Sequence, residues 1–340
     1  MSKVYKYPHP FTTEGGYTFP SLDIAYDTFG VLNEDKSNVI WVCHALTANS
    51  DVADWWPHTV EEGCFLDPER YFTVCANFLG SHYGTTGPLS INPATGEPWY
   101  GDFPLITVRD MVRVHQLLAE HLGIEHVKLL IGSSIGGFQC LEWAVMQPDF
   151  AEKAAFIATT PRTMAWASGF NESQRMAIET DHTFGNRSAE AGLDGMAVAR
   201  SIALLSYRGG MAYNISQEDA EPDNASFNRR VLSYQRYQGE KLRRRFNAYS
   251  YYRLSQAVDS HNLGRKRGRV EDVLKTIKAK SLVVSITSDI LFPPEDHDIL
   301  VANIPDVTYR TIDSVFGHDG FLVEHKLLNE IILDFIKDEQ

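Results

Sequence analysis

The stretch LLIGSSIGGFQCLEW, Leu129 to Trp143, limits the possible folds of this chain more than any other segment. It passes from a buried apolar run into a helical pattern through a corner that holds two serines and three glycines. Where a strand turns at once into a helix, the middle residue of the turn is strained. The residues two before and two after it must be small, because strand and helix nearly touch there. That requirement separates the serines. Centred on Ser134 the flanks are Gly132 and Gly136, whereas centred on Ser133 they are Ile131 and Ile135, which clash. Ser134 is therefore the candidate nucleophile of a G-x-S-x-G corner, with a purely structural Gly/Ser turn as the alternative. Phosphate cradling fits less well, since no Lys-Ser/Thr follows the glycines and G-x-G-x-x-G is absent.

The surrounding sequence agrees with such a corner. NVIWVCHA, RYFTVCANF, HVKLLIG and KAAFIATT are short apolar runs bounded by polar or turn residues, as expected of buried parallel strands. Apolar residues recur at helical spacing from Val108 to Leu122, with Thr107 as N-cap, Asp110 at the capping-box position and Gly123 as a stop. Gly136 to Gln147 reads as a second helix. From Thr163 to about Thr276 the strands cease, and helix-like patches follow (NESQRMAIE, GMAVARSIALLSY, KLRRRFNAYSYYRLSQAV). SLVVSIT and VTYRTID are strands again, and GFLVEHKLLNEIILDFIKD is an amphipathic helix. This order predicts an α/β core formed by residues 1–162 and 277–340, with residues 163–276 inserted as a helical lid.

Composition narrows the function. With 44% apolar and 22% charged residues the chain has an ordinary soluble core, and a net charge of −13 speaks against a nucleic-acid binder. Two basic runs stand against that charge, Arg243 to Arg245 and GRKRGR from Gly264 to Arg269. Such runs are solvated faces as a rule, and contact with a nucleotide phosphate is the alternative. Cys43, Cys64, Cys75 and Cys140 form no CxxC pair, so reduced thiols are expected and no zinc site is spelled out. No apolar leader and no apolar run of about eighteen residues is present, which predicts a cytoplasmic chain with no membrane partner.

A serine hydroxyl becomes nucleophilic when a histidine takes its proton and a carboxylate orients that histidine. Asp289 follows SLVVSITS and His318 follows VTYRTIDSVFG, each just past a strand and in the order Ser, Asp, His. Asp313 and His325 are the runners-up. For the developing oxyanion, one donor is the N–H of Ile135 at the start of the helix, and the other is that of Leu46 in the loop after WVCHA.

Several blocks carry a family resemblance: CHALT, FLGSHYGTTGPLSINPATGEPW, DFPLITVRDMV, GSSIGGFQCLEWA, FNESQRMAIETD, SYQRYQGEKLRRRFNAYSYYRLSQAVDSHNLGR, SDILFPPED and FGHDGFLVE. In this order they span nearly the whole chain, which resembles the homoserine O-acetyltransferase family. The resemblance implies an α/β-hydrolase fold with a mostly parallel sheet and a helical lid, usually as a homodimer, with no metal or bound prosthetic group. It implies acetyl transfer from acetyl-CoA, as co-substrate, to the side-chain hydroxyl of L-homoserine in methionine biosynthesis. The triad then falls on Ser134, Asp289 and His318, the arginine that contacts substrate on Arg200, a pocket tyrosine on Tyr207, and the aspartate for the substrate ammonium on Asp319. A zwitterionic amino acid needs one cation and one anion, which Arg200 and Asp319 supply. The chain departs from the family at Ser133, commonly glycine, and Ile135, commonly methionine, and both changes bear on the pocket wall beside the acyl group. Arg175 is expected to be structural, paired with Glu172 or Glu179. The rival readings are a succinyl-CoA-dependent or serine-accepting enzyme with Arg162 as the extra cation, a plain esterase, and an inactive relative that only binds.

Overall fold

The computed structural model describes residues 2–224 and 227–337. Its main sheet has eight strands: β1 (Lys3–Tyr7), β2 (Leu22–Phe29), β3 (Val39–Cys43), β4 (Phe72–Ala76), β5 (Val127–Ser133), β6 (Ala151–Ile157), β7 (Lys280–Ile286) and β8 (Val307–Ile312). The spatial order is β1-β2-β4-β3-β5-β6-β7-β8; the pairings of β2 with β1 and with β4 are antiparallel and all others are parallel. The expected strands thus form the parallel part. The antiparallel edge was not anticipated: β1 is mostly exposed and carries polar residues among its aromatics, so no continuous apolar run marks it.

Alternation along each central strand divides the core. Val39, Trp41 and Cys43 of β3 face one apolar cluster, and Ile40 and Val42 face the other. The first cluster is covered by α1 (Val108–His121) through Met111, Val112 and Leu118, and by α2 (Ile135–Met146) through Phe138, Leu141 and Trp143. The second lies under α10 (His325–Ile336), which buries Leu328, Ile332 and Phe335. Helix α1 starts as its sequence predicts: Thr107 Oγ1 accepts from Asp110 N, and Asp110 Oδ2 accepts from Thr107 N.

Between β6 and β7 the chain forms α3 (Ala165–Glu179), α4 (Leu193–Tyr207), α5 (Gly210–Ser216), α6 (Arg230–Arg243), α7 (Ala248–Asp259) and α8 (Val270–Leu274), and α9 (Asp298–Asn303) follows β7. A neck of two segments of the chain closes the base of this excursion. Thr163 N donates to His261 O at 3.0 Å and Leu263 N to Pro161 O at 3.0 Å, beside an antiparallel bridge between Arg162 and Asn262. Two expected helices divide. KLRRRFNAYSYYRLSQAV breaks between α6 and α7, where Asn247 caps the new helix by accepting from Ser250 N. GFLVEHKLLNEIILDFIKD breaks at Glu324 into a short turn, Gly320–Val323, and α10; residue 338 lies outside the described residues.

Candidate active site

The carboxyl ends of β3, β5, β7 and β8 converge on one crevice, where open parallel sheets place their ligands. Ser134 sits at the tip of β5 with φ 57° and ψ −125°, a conformation costing about 1–3 kcal/mol. The glycine argument holds in atomic detail. A Cβ on Gly132 would lie 2.4 Å from the Gly136 carbonyl group, and one on Gly136 would lie 2.1 Å from Cys43 O. The turn is tied down by Ser134 N donating to Ile157 O (3.0 Å) and by Thr159 Oγ1 donating to Ser134 O (3.0 Å).

His318 and Asp289 are both buried, and His318 Nδ1 donates to Asp289 Oδ2 at 2.7 Å. The other carboxylate oxygen accepts from Leu291 N at 2.8 Å and Phe292 N at 3.0 Å, so Asp289 is aimed by its own loop. The His318 ring lies among Phe292, Phe321 and Tyr207, with centroids 5.3, 5.6 and 5.9 Å away. Burial alone would lower its pKa, but the charge and hydrogen bond of Asp289 outweigh that, and the net shift is upward. The runners-up lie elsewhere: Asp313 is exposed and accepts from Thr287 Oγ1, and His325 is half-buried at the start of α10.

Ser134, His318, Leu46, Arg200, Tyr207 and Asp319 all line one open cavity of about 370 Å³. A second, much smaller cavity of about 20 Å³ adjoins it at Ser134, with Leu46, Ile135, Phe138, Leu291 and Phe292 among its walls. Ile135 is the first residue of α2, so its N–H has no partner within the helix, and among the described residues Leu46 N–H donates to no backbone acceptor. Ser133 departs from its expected place. It is fully buried, lines neither cavity, and its Oγ has no hydrogen-bond partner, so it is not part of the pocket wall. Ile135 does line the small cavity.

Arg200 lies over the Tyr207 ring at 5.6 Å and enters no ion pair among the described residues. Asp319, in contrast, already has a partner: Arg208 Nε donates to Asp319 Oδ2 at 3.2 Å, and the same guanidinium donates to Tyr234 OH. Arg208 was not anticipated, nor was Ser288, whose hydroxyl donates to Ser314 O (2.6 Å) and accepts from Gly317 N (2.8 Å). Lys241 was not anticipated either, whereas Arg245 belongs to the basic run 243–245, for which phosphate contact is the alternative to a solvated face; both line the large cavity.

The run GRKRGR is neither solvated throughout nor near this cavity. Arg265 pairs with Glu14 at 2.8 Å, Arg267 pairs with Glu142, and Arg109 joins the two acids at 2.8 Å each. Glu14 and the buried Glu142 thus account for two of the run's three arginines, Arg269 being exposed beside Glu271, and the run holds the neck region to the core. Arg175 pairs with Glu172 as expected, and also with Asp259, both at 2.6 Å. Arg162 is exposed and lines neither cavity. Among the described residues no cluster of His, Cys, Asp or Glu is placed to hold a metal ion, and no helix is long and apolar enough to cross a membrane.

A strained serine between a parallel strand and a helix, facing a histidine from the last strand's loop, belongs to the α/β hydrolases. The family model described as the alpha/beta hydrolase fold matches residues 38–324. Within that fold the chain belongs to the homoserine O-acetyltransferase family. It is 46% identical over 322 residues to the homoserine O-acetyltransferase of Cyclobacterium marinum, covering 95% of this chain and 91% of that one. The crystal structure of homoserine O-acetyltransferase from Bacillus anthracis superposes with a TM-score of 0.90 at 25% identity, covering 100% of this chain and 98% of that one. The esterase E22 is also similar, with a TM-score of 0.89 at 27% identity over 99% of this chain and 100% of that one.

Proposed function

We propose that the chain transfers the acetyl group of acetyl-CoA to the side-chain hydroxyl of L-homoserine through an acetyl-serine at Ser134. The observation that carries this reading is one cavity lined by Ser134 and by His318, itself bonded to Asp289, together with Asp319 and Arg200, a cation that enters no ion pair among the described residues. His318, held by Asp289, takes the Ser134 proton as Oγ attacks the thioester carbonyl. The oxyanion rests on the N–H groups of Leu46 and Ile135, each worth roughly 2.7–4 kcal/mol. The C–S bond breaks, and CoA leaves as the thiol with the proton from His318. Homoserine then enters with its carboxylate on Arg200 and its ammonium on Asp319, and Tyr207 walls the site. His318 takes the hydroxyl proton, the new ester forms, and Ser134 recovers its proton as it departs.

The size of the acyl cavity favours acetyl over succinyl. About 20 Å³ with mainly apolar walls suits a methyl group, whereas a succinyl carboxylate would be desolvated there without a cation. Its one amide, Asn171, already donates to Asp259 at 2.7 Å. Hydrolysis is the competing outcome, and the likeness to esterase E22 gives it substance. Water at about 55 M against a millimolar acceptor demands a preference of roughly 10⁵, about 7 kcal/mol. Acceptor placement by Arg200 and Asp319 supplies much of it, and closure by the helices of residues 163–276, acting as a lid, supplies the rest.

The homodimer expectation has a surface to match. Val198 and Leu205 of α4, Met211 and Ile215 of α5, and Leu232 and Tyr237 of α6 are exposed apolar side chains on one helical excursion. A biosynthetic enzyme drawing on acetyl-CoA works in the cytoplasm, where we place it. The test is thiol release from acetyl-CoA and from succinyl-CoA, each with and without homoserine. Release from acetyl-CoA that depends on homoserine is expected. Equal release without an acceptor would make the chain an esterase, and no release from either donor would refute acyl transfer.

A further inference from the structure

The large cavity holds more positive charge than a zwitterionic acceptor can use. Arg200 serves the acceptor's carboxylate, and Asp319 is offset by Arg208. Lys241 and Arg245 line the same cavity and enter no ion pair among the described residues, while the one carboxylate of the lining besides Asp319 is Asp54, which accepts from Asn49 Nδ2. Their neighbours differ. Arg243 pairs with Asp194 at 2.6 Å and Arg244 with Glu240 at 3.1 Å, both on the outer surface. Of the four cations in residues 241–245, at and just past the end of α6, the two that lack acids among the described residues are the two, four apart, that line the cavity.

Their mounting also differs. The Arg245 guanidinium is fixed, donating to Thr47 O at 2.5 Å, Thr47 Oγ1 at 3.3 Å and Tyr83 OH at 2.8 Å. Lys241, one turn earlier and about 6 Å nearer the start of α6, is exposed and makes no hydrogen bond or ion pair among the described residues. A chain with a net charge of −13 repels polyanions over most of its surface, so one that must admit a phosphorylated substrate needs cations at the entrance.

We propose that Lys241, with Arg245 behind it, docks the phosphate groups of the acyl-CoA donor at the mouth of the cavity. The proposal rests on acetyl-CoA being the donor. The donor's pantetheine arm then runs inward past Thr47 toward Ser134, and Lys241 releases the phosphates when the thiol leaves. Ion pairing at a partly exposed site of this kind is worth about five- to tenfold in affinity.

Two donors test it: acetyl-CoA, and S-acetyl-pantetheine, which has the same thioester and no phosphate. The readout is the ratio of their kcat/KM values with homoserine saturating. Lys241→Ala should lower the ratio about five- to tenfold, Lys241→Glu should lower it further, and added salt should lower it in the unsubstituted protein. The surface control Arg244→Ala should not move it. A ratio unchanged by both Lys241 substitutions, or an equal loss with both donors, overturns the docking site. Absence of thiol release from acetyl-CoA by the unsubstituted protein overturns the donor reading instead, so the two failures are distinguishable.

Discussion

The two walls of the cavity are built differently. On the core side, Ser134, Asp289, His318 and Leu46 each sit within a few residues of a strand end, and backbone geometry aims them. On the side of the helical excursion, Arg200, Tyr207, Lys241 and Arg245 are long side chains on or just past α4 and α6, and the docking of those helices decides which residues face inward. The walls meet where Gly209, after α4, presses on the histidine loop: a Cβ there would lie 2.2 Å from Val315 O, and one on Gly317 2.5 Å from Gly209 N. Core-side changes should therefore alter the chemistry with any acceptor, and changes on the helical side should alter the choice of acceptor or donor.

The largest effect tests the core wall. Ser134→Ala should lower thiol release by about 10⁴ or more with either homoserine or water as acceptor. Ser133→Ala should keep turnover within about threefold. It should leave thermal stability equal or slightly higher, because it removes a buried hydroxyl that has no partner. If the two results are exchanged, the assignment of the turn is wrong.

Next comes pH. His318 acts as a base only when neutral, and its pKa is raised above the ordinary 6.5, so it stays protonated to higher pH than a free histidine. The acid limb of kcat/KM should accordingly lie above 6.5. Asp289→Asn removes the charge and the acceptor that hold the proton, leaving burial to lower the pKa. The limb should move to lower pH while kcat falls by roughly 10⁴. A limb that stays in place would mean that another group sets the profile.

The helical wall gives a smaller, selective effect. Arg200→Ala and Asp319→Asn should each lower the ratio of transfer to hydrolysis by about ten- to a hundredfold, measured as acetyl-homoserine formed per thiol released. Equal loss of both products would place these residues in the chemistry and erase the contrast between the walls.

The contrast also explains what the sequence could disclose. The glycines around Ser134 are legible because a clash at 2 Å excludes every other residue, and the acid and base are legible because each follows a strand. The capping box of α1 is equally local. Which cations of KLRRR face the cavity was not legible: nothing in the run distinguishes those that meet Asp194 or Glu240 from Lys241 and Arg245. GRKRGR misled for the same reason, since Glu14 and Glu142, its partners, lie more than a hundred residues away in sequence. The pairing of Asp319 with Arg208 likewise joins two segments that only the docked helices bring together. The roles proposed for Arg200 and Asp319 come from the family resemblance; helical spacing alone reads Arg200 as a salt bridge of the lid.

The smallest predicted effect concerns Ser288, which touches no substrate. Its hydroxyl joins the strand end that carries Asp289 to the loop that carries His318, through Ser314 O and Gly317 N. Loss of these bonds costs about 1 kcal/mol each. Because the Nδ1 to Oδ2 contact itself remains, only part of that cost reaches the transition state. Ser288→Ala should therefore lower kcat by about three- to tenfold, leave the KM values for homoserine and acetyl-CoA close to those of the parent, and shift the acid limb downward as the hold of Asp289 on His318 loosens. Ser288→Thr keeps the hydroxyl and should recover most of the rate. A fall in thermal stability with no change in kcat or pH profile would make Ser288 merely structural and leave the core wall aimed by Asp289's own loop alone.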